Sequence, residues 1–189
     1  MNILLGVTGS VAATLYSKIV TGLQSAGDVK VVFTQRSLHF TSQSPLLNSE
    51  LVKGYTDEQE WQWRKKGDIV LHISLRDWAD VLVIAPLSAN TLAKMANGLC
   101  DNLLTSVYRA WPIYKPIVLA PAMNTEMWKH PITGEHLERL RIRHTHGIKK
   151  YLYLVNPVEK ELACGTTGVG AMADIKDIVS EVVSSTKAG

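Results

Sequence analysis

Four short apolar runs, at positions 2–7, 29–33, 81–85 and 117–120, are too continuous for half-exposed antiparallel strands and predict strands buried on both faces. Between them the apolar positions change to helical spacing. One helix is predicted over 11–25, with Ser10 as its N-cap and Gly27 just past its end, and a second over 89–96, closed by Asn97 and Gly98. Further along, the pattern predicts a helix over 131–140, a strand over 151–155 and a closing helix over 175–183. Strands alternating with helices predict a single α/β domain over residues 1–189, in which a parallel sheet carries helices on both faces. In such a sheet ligands bind at the carboxyl ends of the strands.

Three stretches depart from this rhythm. Residues 43–66, with Trp61 and Trp63, are expected on the surface or against a neighbouring subunit. The glycine-rich stretch 163–172 is expected to move, and the small polar residues 184–189 to fray. No internal repeat of solenoid length occurs.

The 189 residues, 46% of them hydrophobic and 20% charged, suit one soluble core. The 20 Lys and Arg are scattered and the net charge is only +3, so nucleic acid is not an expected partner, whereas an anionic small molecule is compatible. The apolar start lacks a preceding basic segment and is broken by Gly6, Thr8 and Gly9, unlike a signal peptide. No run approaches the roughly 20 apolar residues of a spanning helix, so a cytoplasmic protein without a membrane partner is expected. In a reducing compartment Cys100 and Cys164 are not expected to pair, and Cys100 reads as a buried filler. No metal ligands are assigned.

Candidate chemistry gathers after the strands. The turn Gly6-Val7-Thr8-Gly9-Ser10-Val11-Ala12-Ala13 lets backbone N–H groups approach a phosphate at a helix start. It is neither the spaced glycine triplet of a dinucleotide site nor a Walker loop, which leaves a mononucleotide phosphate or a tight turn with no ligand. After the third run comes Ala85-Pro86-Leu87-Ser88-Ala89-Asn90-Thr91, where Ser88 serves equally as a helix cap. A similar end recurs at Ala120-Pro121-Ala122-Met123-Asn124-Thr125, so two strands deliver Asn-Thr pairs to one sheet edge. Asn124 also reads as an ordinary turn residue after a proline.

The segments Pro86-Leu87-Ser88-Ala89-Asn90-Thr91 and Pro121-Ala122-Met123-Asn124-Thr125-Glu126-Met127-Trp128 resemble the two signature motifs of the homo-oligomeric flavin-containing cysteine decarboxylases. The second motif is highly specific, and the resemblance runs from the first turn, through His72 in Val70-Leu71-His72-Ile73-Ser74-Leu75-Arg76, to Ala163-Cys164-Gly165. It implies a Rossmann-like (flavodoxin-like) subunit with a sheet of about six strands. It also implies trimers or multiples of trimers, with flavin mononucleotide (FMN) bound where subunits meet. By motif, Gly9, Ser10 and Val11 with Thr34 and Ser37 would hold the flavin phosphate region, and Ser88, Ala89, Asn90, Thr91 and Ala122 would line the rest. His72 matches the family's active-site histidine, although a lone histidine before a helix is as often structural. Asn124 matches the ligand of the substrate carboxylate, Met127, Lys160 and Ala163 would contact the substrate, and Cys164 matches a cysteine on a substrate flap, here about residues 157–173. The glycines around Cys164 suit a movable lid better than a packed core, though a small inert residue is the plainer alternative.

The activity implied is decarboxylation of a cysteine-derived carboxylate. Within the family, the branch of coenzyme A biosynthesis converts 4'-phosphopantothenoylcysteine to 4'-phosphopantetheine. The flavin oxidises the thiol to a thioaldehyde, CO2 leaves as the C=S group accepts its electrons, and the enethiolate is protonated and re-reduced. A second branch, of lantibiotic type, acts on peptidyl-cysteine, and some flavin-binding relatives instead regulate a phosphatase. Asp77, Glu161 and Thr166 depart from the coenzyme A branch, two of them removing basic charge that would favour a phosphorylated substrate. The long acidic extensions of the regulatory relatives have no counterpart in these residues.

Overall fold

The computed structural model describes residues 1–41, 52–161, 165 and 167–187. Strand β1 (Asn2–Val7) leads through a 3-10 turn, Val11–Leu15, into α1 (Tyr16–Gln24), followed by β2 (Asp28–Phe33), α2 (Gln35–Thr41), β3 (Lys53–Tyr55), α3 (Asp57–Glu60) and α4 (Leu71–Trp78). The central part comprises β4 (Val81–Leu87), α5 (Ala89–Asn97), α6 (Leu103–Ala110), β5 (Ile117–Pro121), α7 (Thr125–Lys129) and α8 (Pro131–Arg143). A short hairpin, β6 (Thr145–His146) and β7 (Lys149–Lys150), precedes β8 (Leu152–Leu154), the ribbon of β9 (Val158–Glu161) and β10 (Thr167–Ala171), and α9 (Ile175–Lys187).

Six strands form one sheet in the order β3-β2-β1-β4-β5-β8, and every neighbouring pair is parallel. This is the doubly wound arrangement expected from the alternation, with its topological switch between β1 and β4. The strands show why the apolar runs had to be continuous. In β1, Ile3, Leu5 and Val7 point into a core shared with α1 and α9, while Leu4 points into a second core shared with α4, α5, α6 and α8. In β4, Val81, Val83 and Ala85 take the first side and Leu82, Ile84 and Leu87 the second. Both faces are dry. Each large aliphatic side chain so buried contributes about 1.5–3 kcal/mol of transfer free energy.

Several expectations are corrected. The predicted helix 11–25 starts as a 3-10 turn because Ala13 N–H reaches the Ser10 carbonyl at 2.9 Å. Residues 184–187 do not fray: α9 continues to Lys187 with Ser185 buried, its hydroxyl satisfied by the Val182 carbonyl at 3.0 Å. Cys100 is exposed, in the surface loop that follows left-handed Gly98 (φ 74°). Part of 43–66 supplies the edge strand β3, while Trp61 and Trp63 are exposed as anticipated. Helix α6, which the apolar runs at the strands do not announce, buries Leu103, Leu104, Val107 and Tyr108 on one helical face. Among the described residues no helix is long and apolar enough to cross a membrane.

Candidate active site

The carboxyl ends of β1, β4 and β5 lie side by side and are stitched together largely by one residue that the sequence motifs did not single out. Thr8 is completely buried; its hydroxyl donates to the Pro86 carbonyl at 2.7 Å and accepts from Ser88 N–H at 2.8 Å. Ala122 N–H then bonds the Leu87 carbonyl at 3.0 Å, and the Ser10 hydroxyl lies 3.4 Å from the Ala122 carbonyl. Three separate turns therefore form one continuous rim. The available signal was a β-branched polar residue inside an otherwise small-residue turn, since a buried hydroxyl needs partners.

Around this rim the candidate residues divide into groups. Gly9 lies against α2, so that a Cβ there would stand 2.7 Å from the Cβ of Arg36. Thr34 and Ser37 are buried beside it, their hydroxyls donating to the carbonyls of Val7 (3.3 Å) and Thr34 (2.7 Å). Ser88 caps α5, accepting from Thr91 N–H at 3.2 Å; Thr91 is buried, Ala89 half-buried and Asn90 exposed. Asn124 Oδ1 accepts from Glu126 N–H at 2.9 Å, so this side chain makes the turn and caps α7. Met127 is exposed on α7.

A cavity of about 420 Å³ opens over the rim, lined by Ser10, Val11, Leu15, Ala122, Asn124 and Lys160 among others. Its back wall is the β9–β10 ribbon, which approaches closely because β10 is glycine-rich. Met123 N–H bonds the Gly170 carbonyl at 2.9 Å, and Gly170 adopts φ 151° with no room for a Cβ, which would meet the Met123 carbonyl at 2.3 Å. Lys160, on β9, pairs with Asp174 at 2.5 Å, and that hydrogen bond holds the Asp174 carboxyl below the usual carboxylate range. Ala163, Cys164 and Thr166 lie outside the described residues.

The cavity's volume falls in the range of about 300–1,000 Å³ typical of small-molecule sites. Val11, Ala12, Leu15, Ala122 and Met172 provide apolar wall for a flat ring, and Ser10, Asn124 and Lys160 provide polar groups at its margins. In size and lining it fits a flavin. Among the described residues, no group of three or more His, Cys, Asp or Glu is placed to hold a metal ion.

His72 does not line this cavity. It occupies the first turn of α4, where one carboxylate engages it twice: Glu60 Oε2 accepts from its backbone N–H at 3.1 Å, and Glu60 Oε1 pairs with its ring Nδ1. Glu60, at the end of α3, was not anticipated, because its sequence context is a polar stretch without a motif. One turn further along α4, Arg76 binds Asp77 through Nε at 2.9 Å and Nη2 at 2.7 Å. Glu161 lines the cavity beside Lys160.

The family model described as Flavoprotein matches residues 1–187. The phosphopantothenoylcysteine decarboxylase of Oryza sativa subsp. japonica is 50% identical over 182 residues, spanning 96% of this chain and 79% of that protein. The solved structure of a PPC decarboxylase mutant complexed with pantothenoylaminoethenethiol superposes with a TM-score of 0.88 at 49% identity, over 96% of both chains. The FMN binding protein AtHal3 superposes with a TM-score of 0.84 at 49% identity, over 96% of this chain and 94% of the other. With a rim and cavity suited to a flavin and kinship along nearly its whole length, the chain belongs to the Flavoprotein family, in the FMN-dependent decarboxylase branch.

Proposed function

We propose that this chain decarboxylates 4'-phosphopantothenoylcysteine to 4'-phosphopantetheine, a step of coenzyme A biosynthesis, as a trimer or multiple of trimers whose active sites form where subunits meet. The observation that carries this reading is the single cavity in which flavin-type positions Ser10, Val11 and Ala122 share walls with Asn124 and Lys160. Loss of CO2 from a simple cysteinyl carboxylate would leave an unstabilised carbanion. FMN, held at this rim, would supply the reversible two-electron redox chemistry that removes this obstacle.

The chain's own residues provide position and electrostatics. Gly9, Ser10 and Val11, with Thr34 and Ser37, hold the phosphate end of the cofactor; Ser88, Ala89, Asn90, Thr91 and Ala122 line the remainder. Asn124, whose Oδ1 accepts from Glu126 N–H, takes the substrate carboxylate through its amide N–H2. A neutral donor orients the carboxylate without the ground-state stabilisation of a salt bridge, which preserves the tendency to lose CO2. Met127, Lys160 and Ala163 flank the substrate, and the Cys164 thiol protonates the enethiolate carbon. His72 acts as the acid–base or orienting group. Its position away from the cavity of its own subunit supports a role in the cavity of a neighbour.

Incubating FMN-loaded protein with 4'-phosphopantothenoylcysteine is expected to release CO2 and 4'-phosphopantetheine; absence of both under turnover conditions rejects the proposal. A second reading, decarboxylation of a peptide ending in cysteine, is favoured by the tie between Arg76 and Asp77 and by Glu161 in the cavity wall, which together reduce the basic charge available to a phosphate. Mass analysis of a library of peptides ending in cysteine, after incubation with the loaded protein, separates the two. Loss of CO2 from peptides alone selects the second reading.

A further inference from the structure

We propose that Glu60 is a positioning residue for His72, fixing the ring so that Nδ1 carries a proton and Nε2 is presented to the reaction. The inference rests on the assignment of His72 to the active site made above.

His72 is the second residue of α4, so its backbone N–H belongs to the first turn, whose N–H groups have no carbonyl four residues back to bond. The N-cap, Val70, has no polar side chain with which to serve such a group. Glu60 does so from twelve residues away, through Oε2. Capping needs only one carboxylate oxygen. The second, Oε1, is spent on the imidazole of the same residue, which capping does not explain. An ionised carboxylate only accepts hydrogen bonds, so Nδ1 must be the donor. In neutral imidazole this makes Nε2 the acceptor, and in the imidazolium form Nε2 carries the transferable proton.

The carboxylate is itself anchored. It lies on a helix of only four residues, whose first residue, Asp57, accepts from Leu103 N–H at 2.8 Å. At the same turn Thr56 N–H is held by Gln59 Oε1 at 2.8 Å. Helix α3 is thus tied through side chains to the starts of both α6 and α4. Glu60 has 12% of its side chain exposed and His72 26%, so the pair is shielded while the imidazole retains an accessible edge. A carboxylate clamped at two points and backed by a second helix defines the orientation of the ring as well as its tautomer.

The test uses FMN-loaded full-length protein with 15N-labelled histidine. The wild type is expected to show His72 as the Nδ1–H tautomer, and Glu60→Ala and Glu60→Gln are expected to shift it towards a mixture. Both variants are expected to retain flavin absorbance, to leave KM within about twofold and to lower kcat about 10- to 100-fold, the scale on which partners that orient a histidine are felt. Glu60→Gln, nearly isosteric, serves if Glu60→Ala does not fold. An unchanged Nδ1–H tautomer in the folded variants overturns the pairing whatever the activity. An unchanged kcat in the Glu60 variants beside a lowered kcat in His72→Gln overturns the positioning role alone. If His72→Gln itself turns over normally, the assignment of His72 fails, and the catalytic half of this proposal fails with it.

Discussion

At the scale of single residues, the site depends on polar side chains that join backbone segments before they meet any ligand. Thr8 is the clearest case, since its hydroxyl donates to one strand end and accepts from the next helix start. Thr8→Val keeps the shape but strands the Ser88 N–H and removes a donor from the Pro86 carbonyl, which is expected to cost about 1–3 kcal/mol. Urea unfolding of the apoprotein measures the loss, and flavin titration should show weaker FMN binding as the rim loosens. Asn124 holds the turn through Oδ1, and in the proposed reaction its amide N–H2 takes the substrate carboxylate. Asn124→Asp preserves the acceptor for Glu126 N–H while replacing a donor with a negative charge. The expected protein is yellow, folded and inactive; turnover within tenfold of the wild type would assign Asn124 to the turn alone.

At the scale of elements, the β9–β10 ribbon and the α6–α8 pair illustrate two kinds of joint. The ribbon reaches the Asn124 turn only because Gly170 takes a positive φ against the Met123 carbonyl. Gly170→Ala adds backbone strain of about 1–3 kcal/mol and pushes β10 off the cavity. Its signature is a lower Tm together with a raised KM for substrate. On the opposite side of the sheet, the buried pair of Tyr108 and His144 joins α6 to the end of α8, with 3.0 Å between the hydroxyl and Nε2. Burial pushes the Tyr108 phenol up to about 12, against the opposing pull of Arg143 and Arg109. Burial, then the Arg143 charge, lowers the His144 pKa. The folded state thus binds a proton at His144 less readily than the unfolded chain. Its contribution to stability is complete above the unfolded value, about 6.5, and is lost as pH falls from there towards the lower folded value. Tm is expected to fall over this acid window, and His144→Gln should flatten that part of the profile.

At the scale of the whole molecule, the notable fact is separation. Asn124 lines the cavity, whereas His72 sits on α4 outside its lining and is held there by Glu60. If each site is completed across a subunit boundary, subunits carrying His72→Ala and subunits carrying Asn124→Asp, each inactive alone, complement one another when co-assembled. Random mixing of equal amounts should restore about a quarter of the sites in a cyclic oligomer. Recovery is read as turnover after co-refolding, and none would place the whole site within one subunit.

Much of this architecture was legible because dry strands leave a one-dimensional record. A strand covered on both faces must be apolar throughout, so the runs at 2–7, 81–85 and 117–120 announced a parallel core before any partner was known. The motif turns were legible for a related reason: small residues, prolines and Asn-Thr pairs mark where backbone groups become available at a strand end. Edge strand β3, three residues long, left too brief a pattern, and α3 was lost within a polar stretch. What only the tertiary structure decided was which polar groups meet. Thr8 finds Pro86 and Ser88 some eighty residues away, and Glu60 finds His72 by folding one helix end against another. Hydrogen bonds are short and directional while sequence distance carries no direction, so such pairings exist only after the sheet has fixed its strand order and the helices have packed upon it.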